Sequence, residues 1–347
     1  MSTQAEEGER IWATHLRLDP LPTLLASGNR AIYHFARRDL LREDPGPVEP
    51  LWELPVAQRI LKKQQEDGSW RYPGRNRQIY TETNYDLLET FRQLGLLIEK
   101  FALDRRHHAV EKAASYLFSC QSVEGDIRGI LGSQYMPYYH GAILELLIKA
   151  GYGDDARVER GLQWLLSVRQ DNGGWIVPVQ AVPPKEKTRE LWSAPPVPPD
   201  RSRPFSHLAT GMALRPFAVQ PDYRHLGSVA LAARRLKSRF FLPDKYNDRK
   251  APAYWLKFQY PFWWTNLLTA LDTLSLLGYG PDDEDVKSGL DWFLDNQQND
   301  GLWRTSYEQS SRAEPSPRER EAMLWVGLAV ARVFVRLQGN RQVGHLA

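Results

Sequence analysis

One short phrase recurs along this chain and constrains its fold more than any other feature. The phrase is a polar residue, most often Gln, followed by acidic or amide residues and then Gly-x-Trp. Intact copies occupy residues 64–70, 169–175 and 297–303, and a fourth copy, residues 121–127, has Ile127 in the place of Trp. Repetition of this kind is the signature of a fold in which one supersecondary unit is stacked several times.

Each copy follows a segment whose apolar residues have helical spacing. Ahead of the copy at residues 169–175, Val158, Leu162 and Leu165 fall on one face of a helix, and Arg160 and Gln163 fall on the opposite face. The glycine of the phrase is suited to ending that helix, the Trp to covering its end, and the Gln to bonding its free backbone groups. A second, more apolar helix then begins, so each repeat is predicted to be helix, capped turn, helix.

The predicted helices fall into two sets. The second, buried set comprises about residues 21–42, 80–98, 134–150, 206–219, 260–277 and 318–338. The first, amphipathic set comprises about residues 52–66, 106–120, 156–170, 225–240 and 283–298. A small residue precedes an aromatic one by three positions in three helices of the first set: Ala113 and Tyr116, Gly161 and Trp164, Gly289 and Trp292.

Six buried helices inside an outer ring predict an all-α protein folded as an α/α toroid, with six inner and five to six outer helices. We expect one domain over residues 1–347, with residues 1–20 as an N-terminal arm. With 42% hydrophobic residues and twelve Trp, the chain has material for a large core.

Composition narrows the class of protein further. The net charge of +3 is too small to argue for nucleic-acid binding, and no run of eighteen apolar residues predicts a membrane span. The polar N-terminus lacks the apolar stretch of a signal peptide, and the single cysteine, Cys120, excludes an internal disulfide. These features predict a cytoplasmic location, and nothing in the sequence calls for a cofactor.

The Gln-x-x-x-Gly-x-Trp phrase behind an aromatic-bearing helix resembles the QW repeats of squalene–hopene and oxidosqualene cyclases. Their superfamily includes the β subunits of protein prenyltransferases. The resemblance covers about residues 52–338 and is weakest at residues 225–257. It implies the toroid and an isoprenoid substrate. Complement-type thioester domains and some polysaccharide-degrading enzymes have similar toroids, so the fold alone does not set the reaction.

The catalytic signatures of those families are mostly missing. Class II terpene cyclases protonate an alkene with an Asp-x-Asp-Asp motif, and the nearest string here is DDED, residues 282–285, just before an outer helix. Acidic residues at that place are predicted to cap the helix and favour its dipole. The zinc ligands of prenyltransferases are an Asp, a Cys and a His, and Cys120 has no suitable Asp nearby, so no metal site is expected.

Two insertions break the repeat. Residues 176–205 are proline-rich and are predicted to be either a cover over one mouth of the toroid or an extended linker. Residues 234–257 carry eight Lys and Arg against two acids, and residues 254–264 then hold seven aromatics. Aromatic faces stabilise cations, and basic groups hold a diphosphate. The alternative is an aromatic core beside a solvated basic face.

The candidate substrate-binding residues follow from this pattern. The aromatic candidates are Tyr138, Tyr139, Tyr260, Phe262, Trp263 and Trp264. The candidates for an anionic head group are Lys245, Arg249, Lys250 and Lys257.

The candidate catalytic residues lie at or within inner helices. They are Glu82, Asp86, His140, His207 and Asp272. His140 and His207 could approach Glu82 and Asp86 if the helix heads share one end of the toroid, which would suit acid–base work. Asp272 would suit a proton donor if it faces a cavity and is desolvated. The alternatives are that each histidine is simply hydrogen-bonded and that Asp272 pairs with a neighbouring base.

Three functions are compatible with the sequence. The first is an isoprenoid-handling enzyme, terpene cyclase-like or prenyltransferase-like, that binds a hydrophobic molecule or prenyl diphosphate in a central aromatic cavity. Peripheral membrane contact stays open. The second is a non-catalytic toroid that binds a lipid, a peptide or a protein partner. The third is a carbohydrate-active toroid, for which Glu82, Asp86 and His140 would be the reactive groups.

Overall fold

The computed structural model describes residues 11–74, 82–246, 249–305 and 314–344. Over these residues the chain is helical and contains no β-strand, only isolated bridges such as the one that joins Gln64 to Trp70. The all-α prediction is therefore confirmed. None of the described helices is both long enough and apolar enough to cross a bilayer.

Thirteen α-helices lie within the described residues. In chain order they are α1 (Leu21–Leu25), α2 (Arg30–Leu40), α3 (Glu49–Trp52), α4 (Pro55–Leu61), α5 (Tyr85–Phe101), α6 (His108–Ser119), α7 (Pro137–Leu147), α8 (Ala156–Ser167), α9 (His207–Val219), α10 (Gly227–Lys237), α11 (Leu267–Leu276), α12 (Glu284–Asp295) and α13 (Pro317–Gly344).

The chain divides into two compact units. The mid-chain unit comprises residues 48–236 and 243–250, and the terminal unit comprises residues 1–47, 237–242 and 251–347. Every helix predicted from the repeats is present, although the boundaries differ by several residues in places.

The four copies of the phrase form the same turn. In the first copy, the Gln65 N–H donates to the Ser69 carbonyl at 2.8 Å, and the Gly68 N–H donates to the Gln65 carbonyl at 3.0 Å. The two corresponding bonds of the other copies measure 2.7–2.8 Å and 2.9–3.1 Å. Gly68 has φ +90°, and a Cβ there would lie 2.2 Å from the carbonyl oxygen of Lys112 in α6. Only glycine fits this position, because it takes a positive φ without strain and has no side chain to collide.

The Trp of each intact copy caps the preceding helix. Its indole N–H donates to the carbonyl ten residues earlier, at 2.7–2.8 Å in all three copies. Trp70, Trp175 and Trp303 are at most 2% exposed. Helix C-termini leave carbonyls without intrahelical partners, and the indole satisfies one of them while its ring covers the helix end. The predicted structural role of these residues is confirmed.

In the copies at residues 64–70 and 121–127, the leading Gln joins its turn to the next repeat. The Gln64 amide donates to the carbonyls of Gly68 at 3.0 Å and Ala109 at 2.8 Å, the second of which lies in the first turn of α6. Gln121 makes the same pair of bonds and reaches Arg157 in α8 at 2.8 Å. One glutamine side chain thus binds two backbone carbonyls from successive repeats.

Within the terminal unit, the last copy makes the same contact with the N-terminal segment. The Gln297 amide donates to the carbonyls of Gly301 at 2.8 Å and Leu18 at 2.7 Å, and its oxygen accepts from the Leu18 N–H at 3.0 Å. The Thr23 hydroxyl of α1 donates to the Asp300 carbonyl at 2.8 Å. The segment around Leu18 therefore takes, against this turn, the place that an outer helix takes against the earlier ones.

The second helices of the repeats are buried nearly all round. All eleven residues of α7 are buried, and a Cβ on Gly141 would lie 2.7 Å from the Cα of Ala213 in α9. The small residues of the first set also pack closely, because a Cβ on Gly161 or Gly289 would lie 3.0 Å or less from side chains of α7 or α11, respectively. Small residues at these positions let helices approach one another more closely.

Three predicted helix boundaries differ from those of the structure. The helix expected over 260–277 begins at Leu267, because Asn266 forms a capping box with Thr269 and the preceding aromatic run is irregular. The segment expected over 21–42 is two helices, with α2 capped by the Asn29 side chain after the positive φ of Gly28. The helix expected to start at 80 begins at Tyr85, and residues 75–81 lie outside the described part of the chain.

We predict that Trp303→Ala lowers the free energy of unfolding by about 3–5 kcal/mol, as large-to-small changes in a core do. Trp303→Phe should cost about 1–3 kcal/mol, because the ring remains but the Phe293 carbonyl loses its donor. Urea unfolding monitored by circular dichroism measures both variants. The half-buried Trp192 offers the control, for which an alanine substitution should cost much less. Equal stability of all variants would contradict the capping role.

The contact between Gln297 and Leu18 predicts a difference between two adjacent glutamines. Gln297→Ala should cost about 1–3 kcal/mol, because buried carbonyls lose their donor, and should speed proteolysis of the N-terminal segment. Gln298→Ala removes only an exposed bond to Asn296 and should change stability by less than about 0.5 kcal/mol. Similar proteolysis rates for the two variants would show that Gln297 does not hold this segment.

Candidate functional site

Four aromatic side chains of the terminal unit form a continuous cluster. Tyr260 stacks on Trp325 with ring centroids 5.5 Å apart and planes 7° from parallel, and it meets Phe262 edge-on at 5.3 Å. Trp325 also contacts Phe35 of α2 at 6.0 Å. Phe35, Tyr260, Phe262 and Trp325 are hereafter the aromatic cluster. Two of its members, Tyr260 and Phe262, were predicted to bind substrate.

A cation from the chain already lies against this cluster. The Arg332 guanidinium donates to Asp39 at 2.7 Å and to the Tyr260 hydroxyl at 3.0 Å, and its centre is 5.0 Å from the Phe35 ring centroid. Burial disfavours its charge, but Tyr260 and Asp39 outweigh burial and hold the pKa of Arg332 above its usual value. The cluster therefore stabilises a positive charge by the interaction that was expected for a ligand.

Sequence reasoning missed Arg332 and Asp39, although one signal was available. Arg332 and Arg336 are charged residues four apart in an otherwise apolar run, 322–337. A charge inside a buried helix needs a partner, and the partner here is brought in from α2, almost three hundred residues away in sequence.

The other aromatic candidates of the terminal unit lie just before α11. Trp263 and Trp264 are half-buried, with ring centroids 6.1 Å apart. Lys257 is half-buried, and its ammonium lies 4.4 Å from the ring centroid of Tyr254. Two partly exposed indoles and one ammonium group therefore lie close together in sequence, just before α11.

The other basic candidates belong to the mid-chain unit. Lys245 and Lys250 are exposed and Arg249 is half-buried, in a loop closed by the Asp244 N–H donating to the Lys250 carbonyl at 2.8 Å. Lys245 lies 5.9 Å from the ring centroid of Tyr246. Binding of an anionic head group by these residues stays a prediction.

Tyr138 and Tyr139 lie in the interior of the mid-chain unit. Each is 6% exposed, and their ring centroids are 4.8 Å apart. Tyr139 also meets Phe91 of α5 edge-on at 5.7 Å. These rings pack α7 against α5, which favours a core role over substrate binding.

Both ring nitrogens of His140 bond backbone groups. Nδ1 accepts from the Ile127 N–H at 3.0 Å, and Nε2 lies 3.0 Å from the Gly161 carbonyl, to which it donates. Burial lowers the pKa of His140 to about 4, which agrees with a neutral ring. The hydroxyls of Thr90 and Thr210 accept the corresponding N–H in the Trp70 and Trp175 turns, at 3.0 and 2.9 Å. The geometry favours the hydrogen-bonded alternative over catalysis.

His207 belongs to a buried polar group at the start of α9. Asp244 accepts from the Ser206 hydroxyl at 2.9 Å and from the Leu208 N–H at 3.0 Å, and its carboxylate lies 3.3 Å from Nδ1 of His207. The Ser206 hydroxyl in turn caps α9 by accepting from the Ala209 N–H. Asp244 fixes a loop onto a helix N-terminus, where a carboxylate is favoured.

Asp272 pairs with Arg336 of α13. The Arg336 guanidinium bonds the Asp272 carboxylate and also donates to the Ser275 hydroxyl at 2.8 Å. This is the alternative in which Asp272 pairs with a neighbouring base. It differs from the unpaired, desolvated carboxyl that a proton-donor role required.

Glu82 and Asp86 both serve local contacts in the mid-chain unit. The Asp86 carboxylate accepts from the Tyr72 N–H at 2.8 Å, and Glu82 lies 4.0 Å from the guanidinium of Arg189. Arg189 belongs to the proline-rich insertion, so that insertion reaches the head of α5. The contacts described for His140, His207, Glu82 and Asp86 are each with a different partner.

The proline-rich insertion is docked on an earlier repeat. The Ser133 N–H donates to the Trp192 carbonyl at 2.9 Å, and the Gln134 amide oxygen accepts from the Val197 N–H at 2.9 Å. Three short 3-10 turns occur between residues 178 and 192. These contacts favour a packed cover of the mid-chain unit over an extended linker.

The DDED string has a structural role, as predicted. Asp283 caps α12 by accepting from the N–H groups of Asp285 and Val286, and Lys237 bonds Asp283 at 3.0 Å and Asp285 at 2.7 Å. Cys120 is half-buried, and burial raises the pKa of its thiol. Within the described residues, no three His, Cys, Asp or Glu side chains are grouped to hold a metal ion.

Comparison with known proteins gives a weak result. No family model matches the sequence, and a search of curated proteins finds no match. Among solved structures, variants of the type II terpene cyclase MstE from Scytonema are similar at 12% identity and a TM-score of 0.36, over 92% of this chain and 99% of that one. One such variant is without ligand and another is in complex with geranylgeranyl dihydroxybenzoate. Similarity at this level leaves fold and function to be argued from the residues of this chain.

His140 predicts a specific pH dependence of stability. Its folded pKa of about 4 lies below the ordinary value of 6.5, so the unfolded chain binds more protons between these values. The contribution of His140 to stability is therefore complete above pH 6.5 and is lost as the pH falls towards 4, by up to about 3 kcal/mol.

The test is urea unfolding of the wild type and His140→Gln at pH 7, 5.5 and 4.5. Gln retains an acceptor and a donor but does not titrate, so the variant should lose less stability over this range. His108 is exposed on α6, and His108→Gln is the matched control. Parallel pH profiles for wild type and His140→Gln would show that His140 is not a buried neutral ring.

Proposed function

We propose that this protein binds an isoprenoid chain against the aromatic side chains of the terminal unit. The observation that carries the proposal is the pair of half-buried indoles of Trp263 and Trp264, whose ring centroids are 6.1 Å apart. They follow Tyr260, which is held in place by its stacking on the buried Trp325. Partly exposed rings that are held by their neighbours present a rigid apolar surface with little side-chain entropy left to lose. A methyl-branched, unsaturated chain is an apolar ligand that such faces accommodate.

The head group of the ligand is proposed to be anionic. Lys257 lies seven residues or fewer from both indoles in sequence, and its ammonium is already held at the Tyr254 ring. The buried guanidinium of Arg332 is committed to Asp39 and Tyr260, so it supports the cluster and is not the proposed head-group ligand. A prenyl diphosphate fits these requirements, and phosphate oxygens are good acceptors for an ammonium.

Binding is favoured here over alkene protonation. A cyclase of the second class needs an acid that can deliver a proton to the substrate. His140 bonds two backbone groups, Asp272 pairs with Arg336, and His207 lies against Asp244. Each of these engagements supports the non-catalytic alternative. We therefore propose a carrier or sequestering role for the bound chain.

We also propose that the repeats close as an α/α toroid. The support is the contact of Gln297 with Leu18, which repeats the contacts of Gln64 and Gln121 with the next outer helix. Closure would require the first segment of the chain to follow the last turn, as this contact has it.

The test is calorimetric binding of geranylgeranyl diphosphate to the wild type and to the double variant Trp263→Ala/Trp264→Ala. Loss of buried contact with two rings should weaken binding at least about 10-fold, since burying one large apolar side chain is worth about 1.5–3 kcal/mol. Trp192→Ala is the control and should bind as the wild type does. Binding that is absent, or equal in wild type and double variant, would contradict the proposal.

Comparing geranylgeranyl diphosphate with geranylgeraniol separates the contribution of the head group to binding from that of the isoprenoid chain. Lys257→Met should weaken geranylgeranyl diphosphate about 3- to 10-fold and leave geranylgeraniol unchanged, because only the first carries the charge. An organic extract of the incubation, examined by mass spectrometry, should contain unchanged ligand. A cyclised or hydrolysed product would replace the carrier role with an enzymatic one.

A further inference from the structure

An open groove on the outward face of α12 is independent of the proposed isoprenoid site. It encloses about 440 Å³ and is lined by Phe241, Glu284, Lys287, Ser288, Asp291, Trp292 and Asp295. Six of these residues fall on one stripe of α12, three or four positions apart. The volume lies in the range of small-molecule sites, about 300–1,000 Å³.

Trp292 is a fixed wall of this groove. Its ring meets Phe258 at 5.4 Å and Phe293 at 5.3 Å, both near edge-on, which holds the indole in one orientation. The equivalent residue of an earlier repeat, Trp164, is 5% exposed and is covered by Tyr135 at 5.5 Å. Trp292 is half-buried instead, so its free face is presented to the groove.

Phe241 is the second wall and adopts an unusual backbone conformation. Its φ is +60°, a left-handed value that costs a residue with a Cβ about 1–3 kcal/mol. The flanking residues hold it there: Phe240 packs on Trp255 at 5.2 Å, and the Trp255 indole donates to the Leu242 carbonyl at 2.9 Å. Strain of this kind persists where the surrounding structure fixes it, and it presents an aromatic ring beside α12.

The rim of the groove is acidic. Lys287 bonds Asp291 at 2.6 Å and also interacts electrostatically with Glu284, so one lysine faces three carboxylates. Glu284 and Asp295 leave the lining with a net charge of −2. Aromatic faces and an excess of carboxylates attract the same kind of ligand, a positively charged group on an apolar body.

We propose that the α12 groove binds a small organic ammonium ion. The apolar part of the ligand lies between Phe241 and Trp292, and its nitrogen is directed towards the carboxylates of Glu284 and Asp295. Recognition of ammonium groups by aromatic rings with acidic neighbours needs no deprotonation and no metal. The site is exposed, so binding should weaken as salt screens the carboxylates.

The probe is benzyltrimethylammonium, followed by calorimetry and by saturation-transfer NMR of its methyl signal at low ionic strength. Wild type should bind saturably, and Glu284→Gln/Asp295→Asn should weaken binding at least about threefold through loss of both charges. Asp282→Asn is the matched control, because Asp282 is exposed and lies outside the lining. No saturable binding, or equal affinity in the double variant, would overturn the proposal.

Phe241→Gly separates binding from folding. Glycine takes a positive φ without strain, so this variant should keep or raise the melting temperature while it removes one wall. Its affinity for benzyltrimethylammonium should fall about 2- to 5-fold, the size of one exposed cation–aromatic contact. Unchanged affinity in Phe241→Gly would show that the probe binds elsewhere, which would also overturn the proposal.

Discussion

The glycine turn at the end of each outer helix is the constraint on which the contacts between repeats depend, and in the three intact copies an indole secures it by bonding the carbonyl ten residues earlier. This bond ends a helix, buries a large ring and fixes the glycine turn in a single step. The leading Gln of the phrase then binds a second carbonyl outside its own turn, as Gln64 and Gln297 do. Gln121 makes the same contact in the copy that lacks the Trp, so the glycine turn itself is enough to direct this side chain. Helix ends are usually weak points of an α protein, and here they are the points at which successive repeats are joined.

The copy at residues 121–127, which has Ile127 in the place of Trp, shows how the turn forms without an indole. The Ile127 N–H still requires an acceptor, and His140 supplies a ring nitrogen in place of a threonine hydroxyl. The other ring nitrogen then reaches α8, whose Gly161 leaves room for it. His140, which the sequence presents as a catalytic candidate, is thus explained by the backbone groups that it bonds.

This contrast marks what the sequence could predict. The repeats revealed the helices, their order and the role of Trp70, Trp175 and Trp303, because those features depend on spacing within one short segment. The partners of His140, Asp272 and Arg332 depend on which helices meet, and a single sequence does not contain that information. The aromatic run is visible in the sequence, but the cation beside Tyr260 comes from α13 and its carboxylate partner from α2. The boundary of α11 was missed because Asn266 caps the helix after the aromatic run, not before it.

The bond between Leu18 and Gln297 has a consequence for synthesis of the chain. Its two ends are 279 residues apart. At a translation rate of about 5–20 residues per second, the N-terminal segment waits about 15–60 s before its partner exists. Leu21 and Leu24, which are buried in the finished protein, cannot find that last turn during the interval. The segment around Leu18 is thus made well before the turn that secures it, and a chain released early would expose Leu21 and Leu24.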